Sequence, residues 1–201
     1  MRLLDISYCF LIYPHPFVQA AGFVPPRAAV LTAIRGTASS HDWGGFERSL
    51  ALFWHLDLRT PWVPCAAIAD ALVDGALQLR LGDGGDHEPQ APWRALSIAE
   101  ALLDSGGLRV SARVANALLH RCLWAALALA EAEAKAAAGG SGGGGGGGAA
   151  GAAARRCVAA ARLFGPQAGG RDGAAWGEPV KSLLGKVEAI GGRVGSGGEA
   201  Q

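Results

Sequence analysis

Asp70 and Asn116 are polar residues at one position of a pattern that the chain carries twice. Residues 64–77 read PCAAIADALVDGAL and residues 110–123 read VSARVANALLHRCL, a shift of 46. In that register Ile68 meets Val114, Ala69 meets Ala115, Ala71 meets Ala117 and Leu72 meets Leu118. The same shift lays Ser49-Leu50-Ala51-Leu52 on Ala95-Leu96-Ser97-Ile98. A carboxylate only accepts hydrogen bonds, whereas a carboxamide both donates and accepts. The two sites can therefore hold a ligand with different groups. The plainer alternative is that both face solvent or cap a neighbouring backbone.

Other groupings offer chemistry but do not complete it. Asp83, Asp86, His87 and Glu88 share one glycine-rich loop, and such carboxylates suit a divalent ion. Their spacing is not that of an EF-hand, and a solvated acidic insertion is the simpler reading. The tract at 139–148 satisfies G-x-G-x-x-G trivially, with no preceding strand and no Gly-Lys-Ser/Thr after it. Ser39, Ser40, His41 and Asp42 match no hydrolase signature. His55 lies beside an apolar face and reads as a packed histidine. Cys9, Cys65, Cys122 and Cys157 form no C-x-x-C pair and no zinc framework; buried thiols are expected. Trp43, Trp54, Trp62 and Trp93 are able to stack on bases, or simply to fill contacts between helices. The sequence implies no metal, no cofactor, no small-molecule substrate and no enzyme.

Helices must position whatever acts. Residues 27–37 follow Pro25-Pro26 and carry Val30, Leu31 and Ile34 at helical spacing. Phe46, Leu50, Phe53, Trp54 and Asp57 form a stripe on a second helix, 45–57. Thr60-Pro61 and Val63-Pro64 end it. Further helices are expected at 65–81, 93–104, 111–138, 152–164 and 178–190, with Ser111 capping the fifth. Leu50, Phe53, Leu72, Leu96, Ile98 and Leu118 are expected to face inward. The breakers in 82–92 read as a loop and the glycines of 139–151 as a linker.

The expected architecture is all-α, with tandem antiparallel helix pairs stacked as an α-solenoid and glycine-rich insertions left disordered. The organisation follows: an N-terminal segment 1–26, a helical-repeat domain 27–137, a Gly/Ala linker 138–154, further short helices 155–191 and a disordered tail 192–201. Residues 3–13 are apolar and Val18-Gln19-Ala20 imitates a signal-peptidase site, but Asp5 and the single basic Arg2 count against a leader. No stretch is apolar for long enough to span a membrane. Net charge is +1, so no global field points to nucleic acid or membrane. Acids outnumber bases up to Val110, and bases lead beyond it. The abundance of Ala, Gly and Arg over Lys reads as a GC-rich genome.

With the 82–92 insertion removed the unit is about 35 residues, and it resembles a pentatricopeptide repeat. First-helix matches are AIADALV at 67–73 and RVANALL at 113–119. Second-helix matches are ERSLALF at 47–53 and RALSIA at 94–99, with a fainter AARLF at 160–164. The resemblance covers about 27–125. It implies a binder of single-stranded RNA in a chloroplast or mitochondrion of a plant or green alga, acting in RNA processing or stability. It implies base reading by Asp70 and Asn116, with Ser111 and Cys65 as second positions. Ala67 and Arg113 would sandwich bases, and Arg113 and Arg121 would meet phosphate. Ala69 and Ala115 depart from the family's frequent aromatic, and the usual Asn or Asp at the repeat end is missing. A helical-repeat scaffold for other proteins, without RNA, is the alternative; a piece of a longer repeat protein is a third.

Overall fold

The computed structural model describes residues 26–59, 66–79, 90–106, 108–138, 147–168 and 176–195. Among them are seven α-helices and no strand. They are α1 (Arg27–Ser39), α2 (Trp43–Arg59), α3 (Ala66–Gln78), α4 (Ala91–Gly106), α5 (Ala112–Ala138), α6 (Gly147–Ala168) and α7 (Glu178–Gly195). The chain divides into two compact units, Met1–Val110 and Ser111–Gln201. The boundary falls inside the 27–137 span expected to fold together, because α5 packs on α6 and α7. The N-terminal segment through residue 25, most of the acidic loop, the head of the glycine tract and the end of the tail lie outside the described residues. So does Cys65.

In the first unit α1 packs on α2 and α3, and α3 packs on α4. The turn between α1 and α2 is tight. The Asp42 amide donates to the Thr37 carbonyl at 2.9 Å, and Asp42 Oδ1 accepts the Gly45 amide at 2.9 Å. Asp42 is thus the N-cap of α2, which therefore starts two residues earlier than its apolar stripe suggests. A Cβ on Gly45 would collide with the Asp42 carboxylate and the Thr37 methyl. His41 pays for the turn with φ of 54°, a region costing about 1 kcal/mol or more for a residue with a Cβ.

The inward face of α2 is rotated slightly from its apolar stripe. Phe46 and Phe53 are fully buried, Leu50 and Trp54 are half-buried, and Ser49 is buried instead. Ser49 tolerates this because its hydroxyl donates to the Gly45 carbonyl at 2.9 Å. Leu72, Leu96, Ile98 and Leu118 face inward as their spacing predicts. On α3 the contact surface mixes small residues with large ones. A Cβ on Gly75 would stand 2.8 Å from Phe46 Cε2 and 3.2 Å from Ala38 Cβ. The missing side chain lets α3 settle on α1 and α2 at once.

In the second unit α5, α6 and α7 pack pairwise on one another. Residues 147–154, expected as linker, form the start of α6, with Ala150, Gly151 and Ala154 buried. Glycine disfavours a helix by about 1 kcal/mol relative to alanine. The compensation comes from the alanine face buried in the unit and from Glu133 of α5, whose Oε1 accepts the Ala150 amide at 3.0 Å. That carboxylate also complements the positive end of the helix dipole. The tail expected from residue 192 begins as helix, since α7 runs on to Gly195.

Two glycine substitutions separate propensity from packing. A Cβ on Gly36 meets nothing within 4 Å, so Gly36→Ala should raise stability by about 0.5–1 kcal/mol. Gly75→Ala should lower it by about 1–2 kcal/mol, because overpacking against buried Phe46 outweighs the same gain. Urea denaturation followed by circular dichroism reads both; equal effects would refute the close approach.

Candidate nucleic-acid interface

The sequence-predicted residues in the second unit lie at the start of α5. Ser111 is its N-cap: its carbonyl accepts the Ala115 amide at 2.9 Å, and its hydroxyl stands 3.5 Å from the Val114 amide. One helical face, Val114, Ala115, Leu118, Leu119, Cys122, Leu123 and Ala126, is buried. The outward face carries Arg113, His120, Arg121, Trp124 and Ala128, within about 100° of helix surface. From Arg113 to Trp124 this stripe runs about 16 Å.

Trp124 is 54% exposed, unusual for the largest side chain. Its indole N–H donates to His120 Nε2 at 3.2 Å, and the two rings meet edge to face with centroids 6.4 Å apart. The bond holds the indole along the helix with its outer face in solvent. Arg121 and Arg113 are exposed on the same stripe. Cations on one helix face with an open aromatic ring offer a single strand phosphate contact and base stacking. The charge of the second unit agrees: Ser111–Gln201 holds ten basic and six acidic side chains, the reverse of the excess in the first 110 residues.

Asn116 has a defined task within the fold. Its Nδ2 donates to the Ala112 carbonyl at 2.9 Å, and its Oδ1 accepts the Gly177 amide at 3.1 Å. Gly177 in turn caps α7, its carbonyl accepting the amides of Val180 at 2.9 Å and Lys181 at 3.1 Å. Asn116 therefore pins the entry of α7 to α5. The equivalent Asp70 is half-buried on α3, and Ala67 is exposed in the first turn of that helix. Asp70 belongs to the first unit and Asn116 to the second.

Trp43 and Trp54, two of the tryptophans singled out by sequence, have ring partners inside the first unit. Trp43 stacks on Phe46 with centroids 6.0 Å apart, and the Arg94 guanidinium lies 4.7 Å above its ring. Trp54 meets Phe53 edge to face at 5.2 Å. Trp93 is half-buried, and Trp62 lies outside the described residues. Trp124 was the one to find. It falls out of phase with the buried positions 115, 118, 119, 122 and 126, and that phase is visible in the sequence.

Cys122 and Cys157 are free and fully buried. Burial pushes the Cys157 thiol up from 9.0 to about 12, and neighbouring Arg156 pulls it back only in part. No group of His, Cys, Asp and Glu among the described residues could hold a metal ion, and no described helix is long and apolar enough to cross a membrane. No protein-family model matches this chain, and neither does a curated protein or a solved structure.

Two outcomes follow. Asn116→Ala should speed hydrogen exchange at the start of α7 and cost about 1 kcal/mol, as loss of a cap does. Asn116→Asp keeps the acceptor for Gly177 and should cost less; equal exchange rates in wild type and Asn116→Ala would refute the pin. Cys157 should resist iodoacetamide in the native state and react on denaturation, because the thiolate is the nucleophile. The native thiol stays protonated where the unfolded one ionises, so its contribution to stability is complete below pH 9 and is lost as pH climbs toward about 12.

Proposed function

We propose that this is a helical-repeat protein of pentatricopeptide type that binds single-stranded RNA along the outward face of α5. The observation that carries the reading is the exposed Trp124 one turn beyond exposed Arg121, at the end of the stripe that starts at Arg113. Support for stacked pairs comes from the order of packing within each unit. α1 rests on the next helix and the next but one, and so does α5. In this reading the arginines hold phosphate and Trp124 stacks a base. Reading by Asn116 would require exchange of its bond to Gly177, so affinity comes before sequence preference. A role in organellar RNA processing or stability, in a chloroplast or mitochondrion, belongs to the same proposal through the family resemblance.

The scaffold reading has one observation in its favour. Half-buried Leu127 lies one turn beyond exposed Trp124, and Trp with Arg is the usual composition of a protein-binding hot spot.

Binding of a randomised single-stranded RNA pool, measured by fluorescence anisotropy at several salt concentrations, separates the two. Arg113→Ala with Arg121→Ala should weaken binding at least several-fold and flatten the salt slope by about 1.4, at about 0.7 for each phosphate no longer neutralised. Trp124→Ala should cost about 1–3 kcal/mol if one base stacks there, with little change in the salt slope. Failure of the wild type to bind RNA at low salt would leave the scaffold.

A further inference from the structure

A second cationic feature of the second unit lies on α6 and takes no part in the α5 face. Arg155 and Arg162 stand two helical turns apart, about 10 Å along the axis. Both side chains are exposed. Neither makes a hydrogen bond or ion pair with another described residue. They border a groove of ≈ 500 Å³ whose remaining lining is Val158, Ala159 and, from α7, Glu188. Val158 is half-buried and Ala159 exposed, so the floor between the two guanidinium groups is low and carries no polar side chain.

The chemistry of this groove is specific in three respects. It is open to solvent along its length, so an extended strand can lie in it. Two guanidinium groups at its ends, each a planar fork of donors, match phosphate oxygens better than point charges would. The floor offers apolar contact and no hydrogen-bond partner, so nothing there distinguishes one base from another. Glu188 is the one element of the groove that opposes an anion, and it sits on the α7 wall. Without that carboxylate the cations would act undiminished.

We propose that the α6–α7 groove is a second, sequence-independent contact for the phosphodiester backbone of single-stranded RNA, with Arg155 and Arg162 on successive phosphates of one strand segment. This rests on the RNA reading above and adds to it a site on a different helix. The excess of basic side chains in Ser111–Gln201 favours a polyanion over a neutral ligand. Repeating phosphates fit a groove with a guanidinium at each end, and the C–H edges of the intervening ribose can rest on its apolar floor while the 2′-hydroxyl stays in solvent. An acidic peptide is the competing occupant.

The test uses the full chain and a labelled oligouridylate, titrated at several salt concentrations. Arg155→Ala with Arg162→Ala should weaken binding several-fold at low salt and reduce the salt slope by about 1.4. Glu188→Gln should tighten binding a few-fold, a gain that a merely structural role for the groove would not produce. Circular dichroism should show all variants as helical as the wild type. Titrations of both variants that superimpose on the wild type, while Arg113→Ala with Arg121→Ala still weakens binding, would overturn the groove and leave the α5 face standing. Absence of wild-type binding would overturn both. Polyglutamate binding that depends on Arg155 and Arg162, with oligouridylate binding that does not, would assign the groove to an acidic protein segment instead.

Discussion

Small side chains set the distance between these helices, and the rest of the structure adjusts to that distance. On α3 the buried surface includes Ala69, Ala71, Gly75 and Ala76 beside Ile68, Leu72, Val73 and Leu77. On α6 it is Ala150, Gly151, Ala154, Cys157, Ala160 and Ala161, with Phe164 as the large residue near its end. A buried alanine removes far less apolar area from water than a leucine, at about 25 cal/mol per Å². It also loses no rotamer entropy on burial. Close approach is thereby cheap but weakly specific, since one alanine face slides on another with little penalty. Register must come from elsewhere.

Polar clips supply it. Asp42 fixes the start of α2, Glu133 fixes the start of α6, and Asn116 fixes the start of α7. The last two reach out from α5, one near each end of its length. A net hydrogen bond is worth only about 1 kcal/mol, yet it falls off steeply with distance and angle. A shallow apolar contact does not. The clips thus choose among alignments that the alanine surfaces leave nearly equal in energy.

The apolar spacing is enough to place every helix among the described residues and most of its inward face. Phe53, Leu72, Leu96 and Leu118 are buried where periodicity put them. What could not be read was long-range. Glycine content argued that 147–154 would be linker, and local propensity has no term for a carboxylate seventeen residues earlier in the chain that caps the helix. Asn116 looked like a residue available to a ligand because its partner, Gly177, lies 61 positions away. The doubled pattern suggested one continuous domain across both copies. It contains no information about the alanine face of α6 that draws α5 into the second unit. Trp124 was legible from phase alone, but an alanine- and leucine-rich helix hides an outward tryptophan among its apolar neighbours.

The two clips on α5 bear on how such a chain can change over generations. The starting points of α6 and α7 are dictated by side chains of α5 and not by how much chain separates one helix from the next. Repetitive coding DNA, the kind that encodes long glycine runs, gains and loses units readily when it is copied. A fold that took its geometry from the length of such a run would be altered by each such event. Here the start of α6 is tied to α5 by Glu133, so the clip and not the count of glycines defines where that helix begins.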